Sequence, residues 1–468
     1  MHLTTALSIE EKHYLCFEPQ QHMKKLFTEF KSPDYETWLN QIKKDLKDKP
    51  LDALISNPEK DIEIKAYYHP EKNNYKGTEN TFANNFKRES NEWKIRKIYS
   101  SNANKKILTD LNEGVDAISL EGNDQKQFDA DTKEILFDFI GSDIRFGIKS
   151  SAISLQVPKQ SYLNFDIVSL NAKNGEWNNS LDDFFEFYQS NPNNKNIWVD
   201  GNLYGDSGAS TIQELAFTIA HLNEYIQFLK DKKVDLKTIN EKIVIELSVN
   251  ENYFVNIAKF RVIRELISLL FSGYDSKLEI QSPSIFAKTS HRFLATNDHN
   301  NNLLRETTQA MSAVLGGCDA LTITHLNSTN AEDQELNERM AKNTQLVLRE
   351  ESYFAKVNDA AAGSYYVEEL TNQLLEKSWK LFLEIENNGG LISSLKNNFI
   401  QSLIDENKKD LIDKMLNGKQ TFLGVNKFQS KLEKWIEPKK SNEEQKSSFK
   451  KLSVFRLENS YEQKNVIA

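Results

Sequence analysis

The 468 residues, 39% of them hydrophobic and 10% aromatic, exceed what one small core needs; they suit a large α/β barrel with extensions or two to three ordinary domains. A formal net charge of −9 with both signs interspersed argues against nucleic acid or an anionic membrane as partner. The two cysteines, Cys16 and Cys318, make no C-x-x-C pattern, and no apolar run approaches the ~20 residues of a membrane span, so a disulfide framework, a zinc site and a transmembrane segment are all unsupported. Reduced thiols and a cytoplasmic location are the expectation.

In chain order, residues 1–22 are weakly patterned and read as an extension outside the core. Residues 23–92 read as an N-terminal extension and linker: Met23, Leu26, Phe27, Tyr35 and Trp38 lead into a lysine-rich helix through Leu46, and 70–92 is a polar connection. From about residue 95 strands alternate with helices. Short apolar runs predict strands at Ala117–Leu120, Ile144–Ile148, Phe165–Val168, Ile197–Val199, Ile243–Leu247, Leu278–Gln281, Leu321–Ile323 and Phe354–Val357. Apolar residues at steps of three and four predict helices over Thr211–Leu229, Asn252–Phe271 and Glu332–Glu350. The first of these opens with Ser210 and Gln213 in capping-box spacing. The alternation fits a TIM-type (β/α)₈ barrel over 93–420, although an open doubly wound sheet fits the same pattern. The barrel would be followed by a helical, lysine-rich region and a charged tail over 421–468.

One stretch adds specificity. Gly201–Leu229, with Gly208-Ala209 followed by Gln213-Glu214-Leu215-Ala216, is similar to a segment of the methylmalonyl-CoA mutase family. Further likenesses follow in family order: Ile257–Arg264 (IAKFRVIR), Thr289-Ser290 with Asp298, Asn301-Asn302 and Arg305, Ala310–Gly317, Lys342–Gln345, Asp359–Glu368 and Gly389-Gly390. Upstream, Trp93–Arg96 and Gly114–Leu120 fall where the family carries W-T-I-R and the first barrel strand. The resemblance implies a barrel that threads coenzyme A along its axis and sets the acyl group under cobalamin.

It also implies what is missing. The family's D-x-H-x-x-G, whose histidine ligates cobalt, has no match among the eight histidines, so no cobalamin-binding domain and no cofactor are expected in this chain. The histidine that contacts the thioester in catalytic chains falls on Leu203, which can neither donate a proton nor hydrogen-bond a carbonyl oxygen. A second family histidine falls on Thr322 and a nearby glutamine on Asp319. Two further catalytic-chain stretches have no recognisable counterpart around Val168–Gly175 and Phe86–Glu92. No catalytic, cofactor or metal residue is therefore assigned. The resemblance implies a degenerate small chain that pairs with a large subunit holding adenosylcobalamin and interconverting methylmalonyl-CoA and succinyl-CoA. Two alternatives are a catalytic barrel using a separately encoded cobalamin-binding chain, and a cofactor-independent acyl-CoA-binding protein.

Other tempting residues take plainer readings. His221 reads as a satisfied histidine rather than a metal ligand, since zinc needs three or four convergent donors. Adjacent Asp298 and His299 read as a loop cap rather than an acid–base pair. Lys259, Arg261 and Arg264 cover a broad helical arc, which favours pairing with carboxylates over a phosphate clamp. Gly316-Gly317 lacks the Lys-Ser/Thr of a phosphate loop and reads as a helix end with a positive φ. Gly363 reads as the approach to the next helix.

Overall fold

The computed structural model describes residues 34–47, 49–69, 90–100, 104–122, 143–146, 162–296, 300–325, 331–429 and 447–461. Readings placed on 1–33, on 70–89 and on Asp298 and His299 lie outside these residues. The chain divides into two units, Met1–Leu54 and Ile55–Ala468. In the first, helix α1 (Tyr35–Leu46) is the lysine-rich helix foreseen in the sequence; Asp34 caps it by accepting the Thr37 N–H at 2.7 Å.

The second unit is built on eight parallel strands: β1 (Lys94–Ser100), β2 (Ala117–Gly122), β3 (Asp143–Phe146), β4 (Tyr162–Asn164), β5 (Ile197–Asp200), β6 (Ile243–Val249), β7 (Ser284–Thr289) and β8 (Ala320–Thr322). Neighbours in the sheet follow chain order, and β1 pairs with β8. The remaining two edges meet where Leu163 N donates to Lys195 O at 2.9 Å, just before β5. The sheet is thus a closed ring, an α/β barrel of TIM type, and the open-sheet alternative is ruled out. Helices α2 (Asn104–Asn112), α3 (Ile167–Asn174), α4 (Leu181–Ser190), α5 (Asn202–Asp206), α6 (Thr211–Asp231), α7 (Leu236–Glu241), α8 (Tyr253–Tyr274), α9 (Asn301–Leu315) and α10 (Ala331–Leu346) lie between or after the strands. Helices α11 (Tyr365–Asn387), α12 (Gly390–Lys396) and α13 (Phe399–Leu416) follow. None of the described helices is long and apolar enough to cross a membrane.

Three of the expected strands need correction, and the strand that opens the ring was not foreseen. The first strand is Lys94–Ser100, one earlier than Ala117. It escapes an apolar search because Arg96 turns into the barrel while Lys97 pairs outward with Asp110 of α2 at 2.6 Å. The run Phe165–Val168 is not a strand: β4 ends at Asn164, and Asp166 starts α3 by accepting the Ser169 N–H. Leu278–Gln281 is loop, its Leu278 and Ile280 lying half-buried against the core, and β7 begins just after Pro283. Phe354–Lys356 is a 3₁₀ turn, entered through Tyr353 at φ 56°. The helix expected to run to Glu350 changes at Val347 into a π-helical turn.

β6 shows how the sequence makes the wall. Its run IVIELSV is buried throughout; Ile243, Ile245, Leu247 and Val249 face the helices, and Val244 and Glu246 face the axis. The foreseen capping box at α6 is present, and Glu59 adds to it by accepting the Thr211 N–H (2.7 Å) and hydroxyl (2.8 Å). The three cations of α8 all pair with carboxylates. Lys259 meets Glu214 at 2.9 Å and Ser248 O at 2.6 Å. Arg261 reaches Glu368 (2.8 Å) and Asp359 (3.2 Å), and Arg264 reaches Gly317 O (2.7 Å) and Asp319 (3.3 Å).

Lys259 and Glu214 are both essentially solvent-free, so removing one partner strands a buried charge. Lys259→Met is expected to cost roughly 3–5 kcal/mol in urea unfolding. The double variant with Glu214→Met is expected to recover most of that loss; no recovery would mean the pair is not the stabilising unit.

Candidate functional site

The resemblance in the sequence directs attention to the barrel axis, and here side chains cross it. Arg96 on β1 places Nη1 2.7 Å from Glu246 on β6, both side chains fully buried. The two strands are three places apart in the ring, so the pair spans the interior. The same guanidinium donates to Thr322 Oγ1 on β8 and to Ser119 Oγ on β2, each at 3.2 Å. Its carbon lies 5.1 Å from the Phe286 ring centroid and 5.7 Å from that of Trp198. Phe286 on β7 takes edge contacts from Tyr162 on β4 (5.0 Å) and Trp198 on β5 (5.4 Å), again across the axis. With Val244 and Ala320 these rings form an apolar cluster of their own inside the barrel. A charge taken so far from water is tolerable because both ions are matched and the spare N–H groups find hydroxyls.

At the C-terminal mouth the described residues that follow β4 and β5 also make internal contacts. Leu203, on α5 directly after β5, is buried in the main core. Asp200 at the end of β5 accepts the Leu203 N–H at 3.2 Å and pairs with Lys173 of α3 at 2.8 Å. Asp166 is fully enclosed and accepts from Tyr225 (2.8 Å), Ser169 Oγ (2.7 Å) and Asp200 N (2.8 Å), with His221 Nε2 3.0 Å away. Burial opposes its charge, but the His221 ring and the donated hydrogen bonds outweigh that and hold the carboxyl at about 2. His221 Nδ1 meets the Tyr204 hydroxyl at 3.1 Å, so the histidine is a core residue, as its isolation in the sequence implied. Asp206 goes the other way: burial lifts it to about 6, despite Lys288 nearby and a 2.6 Å hydrogen bond from Ser290 Oγ.

The other residues singled out in the sequence are distributed rather than gathered. Thr322 faces the axis and serves Arg96, while Asp319 sits at the opposite end of β8, accepting Ile285 N at 2.7 Å. Asn302 staples the turn after β7 through the N–H (2.9 Å) and carbonyl (2.8 Å) of Ala295; Arg305 holds Asn302 and Leu423 O, both at 2.7 Å. Gln345 accepts the Trp93 indole N–H, Gly317 has φ 85°, and Gly363 N donates to Glu368. Sequence reasoning missed the Arg96–Glu246 pair. A signal existed: Glu246 is a lone carboxylate inside a seven-residue apolar strand, which requires a buried partner.

The chain matches the family model described as methylmalonyl-CoA mutase over residues 173–467. It is 28% identical over 438 residues to the methylmalonyl-CoA mutase small subunit of Porphyromonas gingivalis, covering 86% of this chain and 71% of that protein. To the small subunit of Propionibacterium freudenreichii it is 28% identical over 255 residues, 54% of this chain and 39% of the relative. To the large subunit of Porphyromonas gingivalis it is 30% identical over 251 residues, 53% and 35% respectively. The chain thus spans most of one of these relatives and well under half of the other two.

The Asp206 environment gives a pH test with a definite sign. The unfolded carboxyl ionises near its ordinary 3.8 and the native one near 6, so native stability falls as pH rises between those values and is level above. The difference corresponds to roughly 3 kcal/mol. Asp206→Asn lacks this loss, and its stability relative to the parent is expected to climb between about pH 4 and 6. Urea midpoints measured across that range would check it, and parallel curves for the two proteins would contradict it.

Proposed function

The chain belongs to the methylmalonyl-CoA mutase family, and from that premise we propose that it is the small, non-catalytic subunit of a heterodimeric methylmalonyl-CoA mutase. In this reading the large subunit binds adenosylcobalamin and carries the interconversion of (R)-methylmalonyl-CoA and succinyl-CoA, while this chain contributes fold and partner surface. The observation that carries it is the filled axis: Arg96, Glu246, Trp198 and Phe286 meet where an acyl-CoA would have to thread.

The donor chemistry agrees. Leu203 stands at the family's thioester-contacting histidine and is packed in the core, and the hydroxyl of Thr322 is engaged by Arg96. These residues do not fit a cobalamin-facing substrate site, so no step of the radical chemistry is assigned to this chain. Resemblance to both a small and a large subunit of one organism supports a partner of the same family. This reading favours a structural role over a catalytic barrel served by a separate cobalamin-binding chain.

The test is adenosylcobalamin-dependent turnover of methylmalonyl-CoA by this chain alone, with its co-expressed large subunit, and with a free cobalamin-binding domain. Turnover is expected in the pair only, and Leu203→Ala is expected to leave kcat within about twofold while lowering stability by roughly 2–5 kcal/mol. Turnover with the free domain alone would make the barrel catalytic and overturn the reading.

A further inference from the structure

Residues 447–461 lie along the rim of the barrel's C-terminal mouth. Their contacts are made by the main chain as well as by side chains. Ser448 N and Phe449 N donate to Gly175 O at 2.9 and 3.1 Å, and Leu452 N donates to Ala172 O at 2.9 Å. These acceptors belong to α3 and its C-terminal cap, in the connection after β4. Phe455 N then donates to Asp206 O at 2.7 Å, at the end of α5 after β5. Farther along, Arg456 Nη2 donates to Leu294 O at 3.1 Å, and Glu458 accepts from Thr296 N at 2.8–2.9 Å, both in the turn after β7. One short segment therefore bonds to three separate connections of the mouth.

The rim is shaped to receive it. Gly175 (φ 72°) and Gly208 (φ 101°) are both left-handed. A Cβ at Gly175 would stand 2.6 Å from Phe449 O. One at Gly208 would meet Lys408 Cγ at 2.7 Å and the Phe455 ring at 3.2 Å. Both glycines thus supply a positive φ and the room for the segment to approach. On the segment's side, Phe449, Leu452, Phe455 and Leu457 are buried. Phe455 and Leu457 do not join the main core. They form a second apolar cluster with Phe293 of the turn after β7, Met415 of α13 and Phe422. Leu452 packs into the main core and Lys450 bonds to Asn398, Gln401 and Asp405, whereas the part beyond Leu452 rests on the satellite cluster and a few hydrogen bonds, the kind of unit that opens without global unfolding.

We propose that residues 447–461 are a rim latch. Docked, the segment fastens the connections after β4, β5 and β7 into one rigid rim; released, it frees these connections to move while the strands stay paired. The device is separate from the filled axis and does not depend on whether the barrel is catalytic.

Hydrogen exchange on the full-length chain tests this. In Phe455→Ala/Leu457→Ala, amides of 203–210 and 290–296 are expected to exchange at least tenfold faster, with rates in β5 to β8 unchanged. A synthetic peptide of residues 447–461 added to that variant is expected to slow the same amides again. Should the double variant fold poorly, Arg456→Ala removes the hydrogen bonds to Leu294 and Thr296 and the ion pair with Glu458, all at the turn after β7. It is expected to accelerate 290–296 alone. Unchanged exchange in the rim, equal acceleration throughout the strands, or no effect of the peptide would each overturn the latch.

Discussion

The fully buried pair of Arg96 and Glu246 organises the interior of the barrel. A guanidinium with five donors needs several acceptors when water is excluded, and it finds them on β2, β6 and β8 at once. Aromatic faces from β5 and β7 close around it. Every one of these groups points inward because of the two-residue period of its strand. The pair thereby fixes the register of opposite walls against each other. In the proposed function it also occupies the route an acyl-CoA would take, so one interaction bears on both fold and function.

Outside the ring, the residues that relate this chain to its family work as fasteners. Lys259 and Glu214 join α8 to α6 beside Ser248 at the end of β6, and Arg261 ties α8 to α11 through Glu368. Asn302 and Arg305 hold the turn after β7 to α9 and to Leu423. Each is buried or partly buried and bonded, so each is costly to lose for reasons of packing and charge alone. These family residues can therefore persist on those grounds alone, which is compatible with the proposed non-catalytic role.

Much of this architecture was legible in the residues. The alternation of strand and helix pointed to the barrel class and placed the strands at Ala117, Ile144, Ile197, Ile243 and Leu321, and the long helices α6 and α8 were visible from their apolar steps. What the sequence concealed has physical causes. β1 carries Lys94, Arg96 and Lys97, and the charges of Arg96 and Lys97 are matched by residues of other elements, so it does not look like a strand. Phe165–Val168 is apolar because it enters a buried helix, and periodicity over four residues cannot separate the two cases. In the stretch read as a charged tail, Phe449, Leu452, Phe455 and Leu457 are buried, but their docking surface is made by loops distant in sequence. The cross-axis pair needed the closed ring before Arg96 and Glu246 could be related at all.

In the proposed function the barrel axis admits no coenzyme A. Titration of the purified chain with coenzyme A, followed by Trp fluorescence and calorimetry, measures this. Trp198 lies on the axis against Phe286, so a ligand entering the barrel must disturb it. No saturable signal is the expected result. Saturable binding that disappears on Trp198→Ala would place coenzyme A in the barrel and contradict the claim.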